Sequence, residues 1–242
     1  ACSEGECVAD TSECACEANV NADANKMSAF AIGANGQPGE GLDVDADGDT
    51  CSPEGDCSEG IDNSFSVMAG FTNESLVASL ASGEVILVTE LNEDNTILYF
   101  HQGQVAPWNA SCDFMTQTCD YLLDPVGLGE KTCEPLIQIP VSVDGNTLVG
   151  GGPGTILPFQ VPLPGASLEL PIYDVRIEAE LTFDEGQVIG MLGVLGGAIE
   201  KGDLLASIDA LPDDGTLPVP KESIKVILDL TLNYDIDVDG DG

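Results

Sequence analysis

Basic side chains are what this chain most lacks. Its 242 residues carry 6 Lys and Arg against 43 Asp and Glu, a formal net charge of −37. The six are Lys26, Lys131, Arg176, Lys201, Lys221 and Lys225, and none falls between Met27 and Glu130. Nucleic acid is thereby excluded as a partner, because phosphates are held by Lys and Arg. Docking on an anionic lipid surface is excluded for the same reason. Long apolar runs are also missing: none approaches the ~18–20 residues that span a bilayer. No transmembrane segment is expected, and no signal peptide stands at the start, as in a mature exported protein. The chain has one histidine, His101, and one tryptophan, Trp108. It lacks HExxH, a Gly-x-Ser-x-Gly elbow and a phosphate-binding glycine loop. Residues 150–154 (GGGPG) precede no Lys or helical pattern and read as a plain loop. Among so many carboxylates some pair always suits a glycosidase, so such a pair carries no information. No catalytic residue is assigned, and the chain is not expected to be an enzyme.

Cysteine is plentiful. The nine are Cys2, Cys7, Cys14, Cys16, Cys51, Cys57, Cys112, Cys119 and Cys133. No CxxC occurs and histidine is scarce, so a zinc site is excluded. Disulfides in an oxidising compartment follow instead. Cys51/Cys57 and Cys112/Cys119 each bracket a short polar loop, which suggests local pairs. Cys2, Cys7, Cys14 and Cys16 make a stapled cluster of open connectivity. Cys133 is left over or joins that cluster. The odd count leaves a free thiol, an intermolecular bond or an outside partner. A lipid anchor on Cys2 is disfavoured, because a lipoprotein begins at its cysteine and this chain begins at Ala1.

Hydrophobic residues make up 43% of the chain, enough to bury a core despite the charge. Residues 1–28 are poor in apolar residues and read as a Cys-rich, disulfide-stapled arm. Residues 29–242 read as one β-sandwich domain that includes the acidic loop 43–62. Short helices are expected over 61–69 and 73–81. Residues 84–91 and 96–101 form β-rich runs around a four-residue loop, a hairpin that leaves His101 at a strand end with an ordinary hydrogen bond. Seven of the 14 prolines lie between Pro135 and Pro171, which predicts edge strands and extended connections there. In residues 174–183, Val175, Ile177, Ala179, Leu181 and Phe183 alternate with polar neighbours, so one face is buried and one wet. Asp184-Glu185-Gly186 turns the chain into a second hairpin. Residues 201–211 carry leucines at helical spacing, whereas 223–233 fit helix or strand equally. The fold class expected is mainly β, an antiparallel β-sandwich, jelly-roll-like, with a few short helices.

The carboxylates are patterned. Asp43, Asp45, Asp47, Gly48, Asp49 and Glu54 match D-x-[DN]-x-[DN]-G-x5-E at every specified position. Alternate carboxylates turn inward around one hard cation, and Ca2+ accepts six to eight oxygens. Magnesium wants a tighter octahedron and fits less well. Gly39-Glu40-Gly41 before the loop and Pro53 within it argue against flanking EF-hand helices. Asp62, with Asp56 and Asn63 nearby, is placed to complete this site or a neighbouring one. The last residues repeat the pattern at Asp235, Asp237, Asp239 and Asp241 and stop short of a twelfth-position Glu, as if the natural chain continued. The alternation Asn19, Asn21, Asp23, Asn25 lacks a glycine and reads as a polar turn.

The runs GLDVDADGDTCSPEGDCSEGIDN and YDIDVDGDG resemble the calcium loops of thrombospondin type 3 and dockerin modules. The layout also resembles a group of uncharacterised exported deltaproteobacterial and myxobacterial proteins, which pair an N-terminal D-x-D-G-D…C…GIDN element with a C-terminal DIDxDGDG element. That resemblance covers about a fifth of the chain. It implies secretion and calcium, and supplies no activity. The reading reached from the sequence is a secreted or surface-exposed calcium-binding protein, structural or adhesive, assembling with copies of itself into a filament or layer. A glycan- or surface-binding module is the alternative, with Trp108 read as a loop anchor in preference to a sugar platform. A secreted hydrolase comes third.

Overall fold

The structure, a computed structural model, describes residues 25–34, 39–45, 60–109, 112, 119–123, 127–128, 135–163, 166–212 and 220–231. It is mainly antiparallel β, as the alternating apolar positions predict. Nine strands are described: β1 (Asn25–Lys26), β2 (Ile86–Leu91), β3 (Ile97–Val105), β4 (Tyr121–Leu123), β5 (Ile137–Asp144), β6 (Thr147–Gly151), β7 (Ile156–Leu163), β8 (Ala166–Asp184) and β9 (Gln187–Ala198). Hydrogen bonds link them along the path β1-β2-β3-β5-β6-β8-β7, with β4 on β3 and β9 on β8. Of the expected arm, residues 25–26 are therefore a sheet strand.

The β2–β3 hairpin forms where expected. The Asn92 side chain accepts from Thr96 N and Ile97 N at 2.7 and 2.9 Å, which closes its loop. The second hairpin also forms. Glu185 and Gly186 both take positive φ, 49° and 89°, as a two-residue turn matching the strand twist requires.

The proline-rich strands are placed differently from the expectation. Of the proline-bearing strands β5, β7 and β8, β7, with Pro158 and Pro162, is the one with a single strand partner among the described residues. β5 and β8 are central. Pro140 is tolerated because it stands at a handover: residues 137–140 pair with β3 and 141–144 with β6. Pro171 faces Pro158 on β7, and the opposite edge of β8 gains β9 only from Tyr173 onward. Neither proline therefore removes a ladder bond.

β8 is the spine. Val175, Ile177, Ala179 and Leu181 are buried on its inner face, while Glu178, Glu180 and Thr182 are exposed. The same cluster takes in Leu98, Phe100, Ile139, Leu148, Leu157 and Leu168. The two short helices expected over 61–81 are a 3-10 turn at Ser64–Met68 running into one helix, α1 (Ala69–Ser82), which packs on β7. Helix α2 (Lys201–Ala210) buries Leu204 and Ile208 against β8. The ambiguous segment is a helix, α3 (Lys221–Thr231): Leu228 is fully buried and Val226 is exposed, which fits a period of 3.6.

Four of the six cations serve two contacts. Lys221 Nζ donates to Leu211 O at 2.9 Å, Lys225 pairs with Asp209, and Lys201 pairs with Asp229 at 2.8 Å, so three lysines tie α2 to α3. The lone arginine holds the acidic loop.

Candidate metal centre

The centre is built where an acidic segment crosses itself. Leu42 and Asp62 form an antiparallel bridge, with Asp62 N donating to Leu42 O at 3.0 Å. Asp62 Oδ2 then accepts from Val44 N at 2.6 Å and Asp45 N at 3.4 Å. These bonds draw the backbone of 43–45 around the Asp62 carboxylate. One carboxylate oxygen each from Asp43, Asp45 and Asp62 lies within 4.8 Å of the others. Two oxygens on opposite sides of one calcium ion stand roughly 4.8 Å apart, so the three fit a common shell. Asp62 is 8% exposed, and Asp43 and Asp45 are half-buried. Asp43 Oδ1 is shut off from solvent and accepts no hydrogen bond. An orphaned carboxylate oxygen is costly without a cation beside it, and oxygen donors of this kind are those a hard divalent ion prefers.

Apolar neighbours and one cation fix the site to the sheet. Val44 and Ile61 are each 5% exposed. Leu42 and Val44 pack over Gly196 of β9, where an added Cβ would lie 3.2 Å from Leu42 Cβ. Opposite Gly196 on β8, Arg176 donates through Nη1 to Asp43 O at 3.1 Å. Asn63 is a brace: its Nδ2 donates to Gly33 O at 3.0 Å and Glu40 O at 3.3 Å.

Asp43, Asp45 and Asp62 are thus brought together. Asp47, Asp49 and Glu54 lie outside the described residues, as do Asp235, Asp237, Asp239 and Asp241, and the suggested turn at 19–24. So do the N-terminal cysteines, Cys51, Cys57 and Cys133. The pair Cys112–Cys119 is a disulfide, with Cα atoms 5.9 Å apart. Arg176 and Gly196 carried no signal in the sequence as parts of this centre, because both come from strands more than 130 residues beyond Asp43 and Asp45.

Two other polar positions differ from expectation or sharpen it. His101 sits mid-strand, not at a strand end; it is 4% exposed, and neither ring nitrogen has a hydrogen bond. Glu90 Oε2 lies 3.5 Å from His101 Nε2. Burial holds the imidazole below its ordinary pKa. Trp108 is tied by its indole N–H to Asp120 at 2.8 Å, yet the residue is 68% exposed. No described helix is long and apolar enough to cross a membrane. No family model, curated protein or solved structure matches the chain.

Proposed function

We propose that this chain is a secreted calcium-binding protein with a structural or adhesive role at the cell surface or in the extracellular matrix, assembling with copies of itself. The observation that carries the calcium reading is the convergence of Asp43, Asp45 and Asp62, with a solvent-excluded Asp43 oxygen among them. The first two open the sequence pattern that resembles thrombospondin type 3 and dockerin loops. The Cys112–Cys119 disulfide supports an oxidising compartment. The charge of −37 supports a role in which divalent cations offset self-repulsion.

Calorimetric titration and thermal melting test it. A site at 100 times its dissociation constant adds about 2.7 kcal/mol. Asp45→Asn and Asp62→Asn keep the side-chain volume and an accepting oxygen but remove charge. Both are expected to lower the melting temperature in calcium and leave it level or slightly raised in EDTA. Wild-type melting that ignores EDTA, with no metal found by elemental analysis, would sink the reading.

One observation favours the glycan-binding alternative: the exposed Trp108 ring, held by Asp120. Sugars stack on such faces. Glycan-array binding that disappears in Trp108→Ala would establish it, and an array without signal removes it.

A further inference from the structure

Strand β9 pairs with β8 and with no other described strand. Leu181 N donates to Asn146 O at 2.7 Å, on the β6 side. The odd-numbered residues of β8 around it therefore turn their backbone groups toward β6, and the even-numbered ones toward β9. Glu180 stands opposite Leu192, and Glu178 opposite Val194. The amides and carbonyls of Leu192 and Val194 thus face β8, and those of Met191, Gly193 and Leu195 face away from it. No described residue hydrogen-bonds to these outward groups. At the start of the strand, Asn25 Nδ2 donates to Val188 O at 3.2 Å, which satisfies one carbonyl.

Open strand edges are normally protected by proline or charge. β7 carries Pro158 and Pro162, which have no N–H to offer. β9 has no proline and no charged side chain from Gln187 to Ala198, in a chain of net charge −37. Leu192, on its outer face, is 82% exposed.

The side chains of this stretch select the strand that fits it. Residues 190–194 read Gly-Met-Leu-Gly-Val. Paired antiparallel with itself about a two-fold axis at Leu192, the stretch sets Met191 opposite Gly193 and Val194 opposite Gly190. The two Leu192 side chains then lie side by side. Every large side chain meets a glycine or its own copy. An axis at Gly193 would instead crowd Met191 against Leu195 and Leu192 against Val194. Across the axis, Glu180 and its copy are three strand spacings apart, about 14 Å. That exceeds the Debye length of about 10 Å at 0.1 M salt, so their repulsion is screened.

We propose that β9 pairs antiparallel with the β9 of a second copy about a two-fold axis at Leu192, which joins two sheets into one. This names the seam of the self-assembly proposed above and rests on that reading. The metal centre stands at the margin of the seam, because Leu42 and Val44 pack over Gly196 of β9. Calcium that offsets Asp43, Asp45 and Asp62 relieves repulsion there.

Sedimentation velocity of the full chain, in calcium at physiological salt, reads the dimer. Leu192→Glu puts like charges on the axis. It is expected to raise the dissociation constant at least tenfold at an unchanged melting temperature. Met191→Pro removes an outward donor and no bond to β8, and should weaken the dimer as much. If that variant melts early, Leu192→Glu decides. Leu192→Cys gives the positive result. A non-hydrogen-bonded antiparallel pair brings Cα atoms to about 4.5 Å, within the reach of a disulfide. Mild oxidation is expected to link position 192 to its own copy, as read by peptide mass mapping. A dimer indifferent to Leu192→Glu, or one that gives no link at position 192, overturns this seam and leaves the assembly reading standing. A wild type that stays monomeric in calcium at every concentration overturns both.

Discussion

His101 is a buried imidazole without hydrogen bonds, beside a carboxylate at 3.5 Å. Burial lowers its folded pKa, so the unfolded chain binds the proton more readily. The sign follows: the neutral ring is tolerated above the ordinary histidine value near ~6.5, and stability is lost as pH falls below it. Acidification also relieves repulsion among carboxylates, so the comparison must isolate this ring. Melting of wild type and His101→Leu from pH 8 to 5, both in EDTA, should show the wild type losing more stability, or gaining less, below pH 6.5. Parallel curves would mean that Glu90 compensates the buried charge. Asp62 is the residue on which the metal centre turns, because it orders two backbone amides and offers an oxygen to the cluster.

At the scale of elements, β8 decides the register. Its inner residues pair with inner residues of β6 and β9, so Leu181 stands opposite Met191 and Glu180 opposite Leu192. Leu181 is 2% exposed and Leu192 is 82% exposed. Leu181→Ala is expected to cost about 2–5 kcal/mol through the cavity it leaves. Leu192→Ser should stay within about 0.5 kcal/mol. Urea melts that reverse this order would refute the register. Gly151, at φ +82°, lies against Val175 O, where an added Cβ would come within 1.8 Å, so no side chain fits at this end of β6. The α2–α3 pair is tied by surface lysines, each worth at most about 1 kcal/mol; the buried Leu204, Ile208 and Leu228 carry the rest.

For the whole molecule, charge sets the conditions of stability. A net −37 opposes compaction, and salt screens that repulsion over a Debye length of about 10 Å at 0.1 M. In EDTA, the melting temperature is expected to rise steadily from 10 to 300 mM NaCl. Millimolar calcium should raise it further at constant ionic strength, and magnesium less. Equal effects of calcium and magnesium would leave only screening. Self-association belongs to this scale too. Sedimentation velocity should show species larger than the monomer in calcium and monomer after chelation; a strict monomer in both would remove assembly from the proposed function.

What the sequence determined by itself was local. Alternation over 174–183, the Asn92 loop, the Glu185-Gly186 turn and the leucine spacing of 201–211 specify elements, because side-chain period and turn conformation depend on near neighbours. The spaced aspartates and the charge balance are equally local, and they pointed to a cation. Tertiary structure decided the rest. Asp62 joins Asp43 and Asp45 only because the chain closes the Leu42–Asp62 bridge. Arg176 reaches that loop across 133 residues. Lys221–Thr231 is helical because that period puts Leu228 in the core and leaves Val226 in water. The prolines of β5 and β8 are tolerated in central strands because Pro140 sits where the ladder changes partner and Pro171 stands before the other edge of β8 is taken up by β9. Which edges pair is set by chain closure over long separations, and no window of sequence contains that information.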